Sequence, residues 1–152
     1  MADQVTKDII VKANIDDVYN LWSNFENFPL FMKYIKSITK TGDRTSHWVM
    51  EGPLGKDLEW DAETTKLDRN KRIAWNSRDT SANDIKTSGQ VVFNQLPQGE
   101  THITVTLQYV PPAGKLGEFM ANLFSDPEKR LEEDLANFKQ YIEENRSRTA
   151  AV

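Results

Sequence analysis

Leu58-Glu59-Trp60-Asp61-Ala62-Glu63 places apolar and charged side chains in strict alternation. A strand sends successive side chains to opposite faces, so Leu58, Trp60 and Ala62 share one face and Glu59, Asp61 and Glu63 the other. One side is dry and one is wet, and a sheet built of such strands needs a second layer over its dry side. The same period of two runs through residues 35 to 110 without a helical interruption. It predicts six strands: Ile35–Lys40, Thr45–Glu51, Leu58–Leu67, Arg72–Ser77, Thr87–Gln95 and Thr101–Val110. Gly42-Asp43, Gly52-Pro53-Leu54-Gly55, Asp68-Arg69-Asn70 and Pro97-Gln98-Gly99 supply turn chemistry between them, and such short breaks favour antiparallel neighbours. Trp48 and Met50, Ile73 and Trp75, Val91 and Phe93, and Ile103, Val105, Leu107 and Tyr109 extend the dry face. Thr104, Thr106 and Gln108 extend the wet one.

Outward from this block the period changes. Asp8–Lys12 reads as a buried opening strand, and Ile15, Val18, Leu21, Trp22 and Phe25 then recur at helical spacing behind Asn14 or Asp16 as a cap. Asn27–Tyr34 predicts a second short helix entered through Pro29. After residue 111 the helical period returns in Leu116, Phe119, Met120, Leu123 and Phe124, and again past Pro127 in Leu131, Leu135, Phe138 and Ile142. Pro127 marks a kink or break there, with Ser125 or Asp126 as the cap of the second piece. From Asn145 onward the polar tail is expected to fray. With no repeat or linker, residues 1–152 form one domain with a core at about 4–145. The fold class is α+β: a curved seven-stranded antiparallel sheet around a long C-terminal helix, with two short helices after strand 1. The dry face holds more aromatic area than its own strands cover, so the helix must cover it, leaving either a filled core or a pocket.

Composition narrows the partners. Nineteen basic residues against 23 acidic give a net charge of −4, the wrong sign for a phosphate-backbone footprint, so nucleic acid is not expected. The absence of cysteine removes disulfides, thiolate metal sites and a cysteine nucleophile. No run of about 18 apolar residues is present, so no membrane insertion is expected, and the chain reads as cytoplasmic.

A resemblance emerges from the residues themselves. It is carried by Trp22-Ser23-Asn24-Phe25-Glu26-Asn27-Phe28-Pro29-Leu30-Phe31-Met32, Ile35-Lys36-Ser37-Ile38, Gly52-Pro53-Leu54-Gly55 with Glu59-Trp60-Asp61-Ala62, Arg72-Ile73-Ala74-Trp75 and Leu131-Glu132-Glu133-Asp134-Leu135-Ala136-Asn137-Phe138-Lys139. The pattern resembles the polyketide cyclase/dehydrase-like (coenzyme Q-binding/START-like) branch of the START/Bet v 1-like, or SRPBCC, superfamily, over residues 4 to 145. The resemblance implies a helix-grip fold and a hydrophobic cavity used for sterols, lipids, quinones, plant hormones or polyketides. Some branches are enzymes and many only bind or carry. Against the cyclases of that superfamily, Tyr34 and Asn137 fall where a tyrosine and an asparagine are used. The arginine of a central strand has no counterpart, because Trp60 is followed by Asp61-Ala62-Glu63-Thr64, and no internal cation is found to hold an enolate-like intermediate.

Each polar feature has a plain structural reading beside the functional one. Glu59, Asp61 and Glu63 point together, yet their face is the wet one, where Lys or Arg from adjacent strands would meet them. His47 and His102 lack metal-ligand spacing and read as exposed strand residues. Gly52-Pro53-Leu54-Gly55 reads as a hairpin turn rather than a phosphate loop, and no serine lies in a G-x-S-x-G context. No catalytic residue, metal or cofactor is assigned. The stripe from Leu116 to Phe124 is either core helix or a lid. The cavity candidates are Phe31, Tyr34, Trp48, Met50, Trp60, Trp75, Phe93, Tyr109, Phe119, Met120, Leu123 and Asn137. The expected function is binding or carriage of an apolar small molecule such as a lipid, quinone or polyketide-like aromatic, with transient membrane contact compatible with it. The alternatives are an enzyme of cyclase/dehydrase type and a chaperone-like or regulatory protein-interaction module. Oligomeric state is left open.

Overall fold

The computed structural model describes residues 3–51, 57–78, 86–110 and 127–150. Its strands are β1 (Asp3–Val11), β2 (Ile35–Lys40), β3 (Thr45–Met50), β4 (Leu58–Asp68), β5 (Arg72–Ser77), β6 (Lys86–Gln95) and β7 (Thr101–Val110). They form one seven-stranded sheet in the order β1-β7-β6-β5-β4-β3-β2, and every pair is antiparallel. After β1, consecutive strands lie side by side, as short turns require. β1 instead closes onto β7, joining the two ends of the chain's sheet-forming part. Register shifts between Ile35 and Ser37 and between Thr64 and Lys66 add the local bend that lets a sheet curl. The helix-grip arrangement is thus present, with α1 (Ile15–Ser23), a 3-10 helix (Phe25–Leu30) and α2 (Pro127–Ala150).

Helix α1 starts at Asn14, whose side chain accepts the Asp17 N–H at 3.0 Å, and Asp16 and Asp17 sit in its first turn, where carboxylates complement the helix dipole. It buries Val18, Tyr19 and Trp22. The second short helix differs from the sequence expectation over Asn27–Tyr34. It begins earlier, ends at Leu30 and has the 3-10 form, with Pro29 inside it rather than near its start. Phe25, Phe28 and Phe31 recur at every third residue, which is the 3-10 repeat, and all three rings are buried. β1 also begins earlier than expected. Its first half alternates buried Val5 with polar outward residues, and Thr6 reaches Thr106 across the ladder at 3.1 Å.

Helix α2 opens on Pro127, a first-turn position where the missing N–H costs nothing. Leu131, Leu135, Phe138 and Ile142 are all buried against the sheet. The helix also covers the edge of β1. Glu143 accepts the Lys12 N–H at 2.9 Å, Lys139 donates to the Ile10 carbonyl at 2.9 Å, and Lys7 pairs with Glu132 at 2.8 Å. These contacts occupy part of the free edge of β1. The anticipated stripe at Leu116–Phe124, the cap at Ser125 or Asp126 and the turn at residues 52–55 lie outside the described residues.

Candidate functional site

One end of the interior is filled with rings. Trp22 packs edge-on against Phe28 and Phe138 at centroid distances of 5.3 and 5.1 Å, and Phe31 meets Phe138 at 5.3 Å. The other end is hollow. There the described residues enclose a cavity of about 140 Å³ between the dry sheet face, the segment after the 3-10 helix and the start of α2. Its sheet wall is a tier of indoles: Trp48 stacks with Trp60 at 5.6 Å and with Trp75 at 5.9 Å, at interplanar angles of 29° and 28°. Trp48 and Trp60 are direct cross-strand partners of β3 and β4. Trp75 lies flat on β6, because a Cβ on Gly89 would strike its ring, coming within 2.8 Å of Cε2. Met32, Met50 and Leu131 are among the further apolar residues that line it.

Among the cavity's polar lining are Tyr34, Arg130 and Asp134. The guanidinium carbon of Arg130 lies 3.8 Å from the centre of the Tyr34 ring, a cation held on an aromatic face. Asp134 stands one helical turn further on. Burial pushes its carboxyl from an ordinary value of 3.8 up to about 6, although the Lys33 backbone N–H and the Arg130 charge pull the other way. A carboxyl of that kind exchanges protons near neutrality beside a fixed cation.

Of the residues anticipated from the sequence, Tyr34, Trp48, Met50, Trp60 and Trp75 line this cavity together. Phe31 and Phe93 are buried in the filled part, Phe31 against Trp22 and Phe138 and Phe93 against Tyr19. Asn137 is exposed on α2, and its amide donates to the Phe31 carbonyl at 3.4 Å, a tie between helix and loop rather than a cavity group. Tyr109 belongs to β7, opposite Thr87, but its side chain lies outside the described residues, as do Phe119, Met120 and Leu123. The expectation that the interior offers no cation is corrected by Arg130, which arrives from the helix and not from a strand. The signal for it was the Arg130–Asp134 pair flanking Leu131 and Leu135, a spacing that reads equally well as a solvated helix edge.

The wet face holds a different surprise. His47 sits opposite Asp61 in the ladder, with Nδ1 2.8 Å from Asp61 Oδ1 and Nε2 2.9 Å from Glu59 Oε1. Thus a histidine meets two of these carboxylates, and their hydrogen bonds raise its pKa. His102 pairs with Asp8 at 2.7 Å. Among the described residues, no group of His, Asp and Glu is arranged to hold a metal ion, and no helix is long and apolar enough to cross a membrane.

A curled seven-stranded antiparallel sheet around a C-terminal helix is the START/Bet v 1-like, helix-grip fold. Residues 11–136 match the family described as polyketide cyclase / dehydrase and lipid transport, and the chain belongs to that family. An uncharacterized 17.2 kDa protein from the melC2-rnhH intergenic region of Streptomyces lincolnensis is 29% identical over 146 residues, 96% of this chain and 93% of that protein. A crystal structure of a Deinococcus radiodurans protein superposes with a TM-score of 0.71 at 28% identity, over 91% of this chain and 95% of that one. The Zhui aromatase/cyclase of Streptomyces sp. R1128 shares the fold, with a TM-score of 0.71 at 18% identity and 94% coverage of each chain.

Proposed function

We propose that the protein binds or carries an apolar, ring-containing small molecule in the cavity between the indole tier and α2. The observation that carries this reading is the hollow itself. A core this rich in rings packs fully at one end, yet at the other it leaves about 140 Å³ walled by Trp48, Trp60, Trp75, Met32 and Met50. Family membership and the fold shared with an aromatase/cyclase support it. The described walls suit one small ring system; an engineered apolar cavity of roughly 150 Å³ accepts benzene. Burying about 150 Å² of ring at ~25 cal/mol per Å² contributes roughly 4 kcal/mol at most, a millimolar affinity by itself. Polar groups must therefore decide which ring is held. The test is native mass spectrometry of freshly purified protein with extraction of co-purifying compounds. A retained aromatic or quinone-like molecule supports the reading, and a clean apo mass with no uptake from an aromatic panel contradicts it.

A second reading, an enzyme of the cyclase/dehydrase kind, is favoured by one observation: Arg130, Tyr34 and Asp134 converge on the cavity, giving a fixed cation beside a carboxyl that titrates near pH 6. Asp134→Asn distinguishes the two readings. It leaves ligand uptake intact in a carrier and abolishes turnover in an enzyme.

A further inference from the structure

Buried polar atoms in folded proteins almost always have partners. Among the described residues, four buried side-chain atoms have none: Trp22 Nε1, Trp60 Nε1, Asn70 Oδ1 and Thr87 Oγ1. Trp60 and Thr87 are both residues of the cavity wall. The fold can satisfy an indole at this wall, since Trp48 Nε1 donates to Ser46 Oγ at 2.8 Å. Trp60 receives no such partner although it is only 4% exposed.

The two unpaired groups lie on β4 and β6, on either side of β5. β5 ends at Ser77, which pairs with Ala62, two residues from Trp60 on the same face of β4. Ser77 Oγ also accepts the Thr87 backbone N–H at 3.1 Å, so Thr87 lies beside the end of β5 and Trp60 two residues beyond that end on the other side. Thr87 shares the inward face of β6 with Gly89, Val91 and Phe93 by the two-residue rule. An indole N–H only donates, and a threonine hydroxyl can donate as well, so a carbonyl oxygen satisfies either group.

We propose that Trp60 Nε1 and Thr87 Oγ, the unpaired donors of the wall, are hydrogen-bonding positions for a ligand oxygen, so that the cavity selects an aromatic ring bearing an exocyclic carbonyl over a hydrocarbon of similar size. The proposal rests on the reading of the cavity as a ligand site and names the feature of the ligand that the sheet recognises. A site built around an unpaired donor discriminates against an analogue that leaves it unpaired.

Acetophenone and isopropylbenzene are similar in size and differ chiefly in that one carries a carbonyl, which makes them the probes. Isothermal titration calorimetry on the full chain measures both against wild type, Trp60→Phe and Thr87→Val. The expected result is that each substitution weakens acetophenone about five- to tenfold and changes isopropylbenzene by less than twofold. Thr87→Val keeps the β-branched shape, so it carries the test if Trp60→Phe fails to fold. Equal losses for both probes, or none for either, overturn the subsite while leaving the cavity reading intact. Failure of wild type to bind either probe overturns both.

Discussion

Asp134 is a carboxyl that burial holds at about 6, so in the folded protein it keeps its proton at pH values where the unfolded chain has lost it. The raised value means that its favourable contribution is complete below pH 3.8 and is lost as pH rises through about 6. At neutral pH the charged form is therefore a liability of about 3 kcal/mol. Asp134→Asn is expected to be more stable than wild type at pH 7.5 in urea unfolding, with the advantage shrinking toward pH 4. A constant difference across that range would show that Asp134 is solvated. His47 runs in the same direction for the opposite reason. Its raised pKa comes from Glu59 and Asp61, so its stabilisation is present below its ordinary value and fades as pH rises through the folded one. His47→Gln should lower the melting temperature at pH 5.5 and match wild type at pH 9. At this scale the sequence was least readable. Trp48, Trp60 and Trp75 could be placed on the dry face by parity alone, whereas nothing in Arg130 or Asp134 marks a charge that turns inward, because i,i+4 charge pairs ordinarily face water.

Among the elements, β6 shows how a missing side chain shapes the cavity. Gly89 faces Trp75 across the ladder and lets that indole lie on the strand. Gly89→Ala would drive the ring toward the hollow, with a cost of about 1–3 kcal/mol in stability and loss of ligand uptake. Unchanged uptake would place the binding surface elsewhere. The two faces of the strands can be tested against each other as well. Trp75→Ala is expected to alter uptake and Asp61→Ala to leave it untouched, and equal effects would contradict the assignment of dry and wet faces. Strand positions were legible because alternation is a local property of each segment. The second short helix was not, since three phenylalanines at every third residue suit a 3-10 turn as well as one edge of an α-helix. The half of β1 before Asp8 is not legible in the sequence, because Gln4 and Thr6 owe their strand to pairing with β7, about a hundred residues away in sequence.

At the scale of the whole molecule, the order of strands and helices leaves few arrangements in which one helix covers one dry sheet face, and the helix-grip fold is among them. That much follows from period changes at residues 35 and 111 and from the excess of rings on one face. Whether those rings meet or leave a gap depends on packing over a few ångströms, which periodicity does not encode. The central claim is that the hollow, and no other surface, takes a small aromatic molecule. Met32 and Met50 report on it directly, because both line the cavity and are buried. The decisive measurement is the methyl NMR spectrum of methionine-labelled protein during titration with acetophenone. The result expected is a saturable shift of the Met32 and Met50 methyl resonances, abolished in Gly89→Ala. Binding that leaves both methyls unmoved, or no saturable binding at all, would contradict the claim.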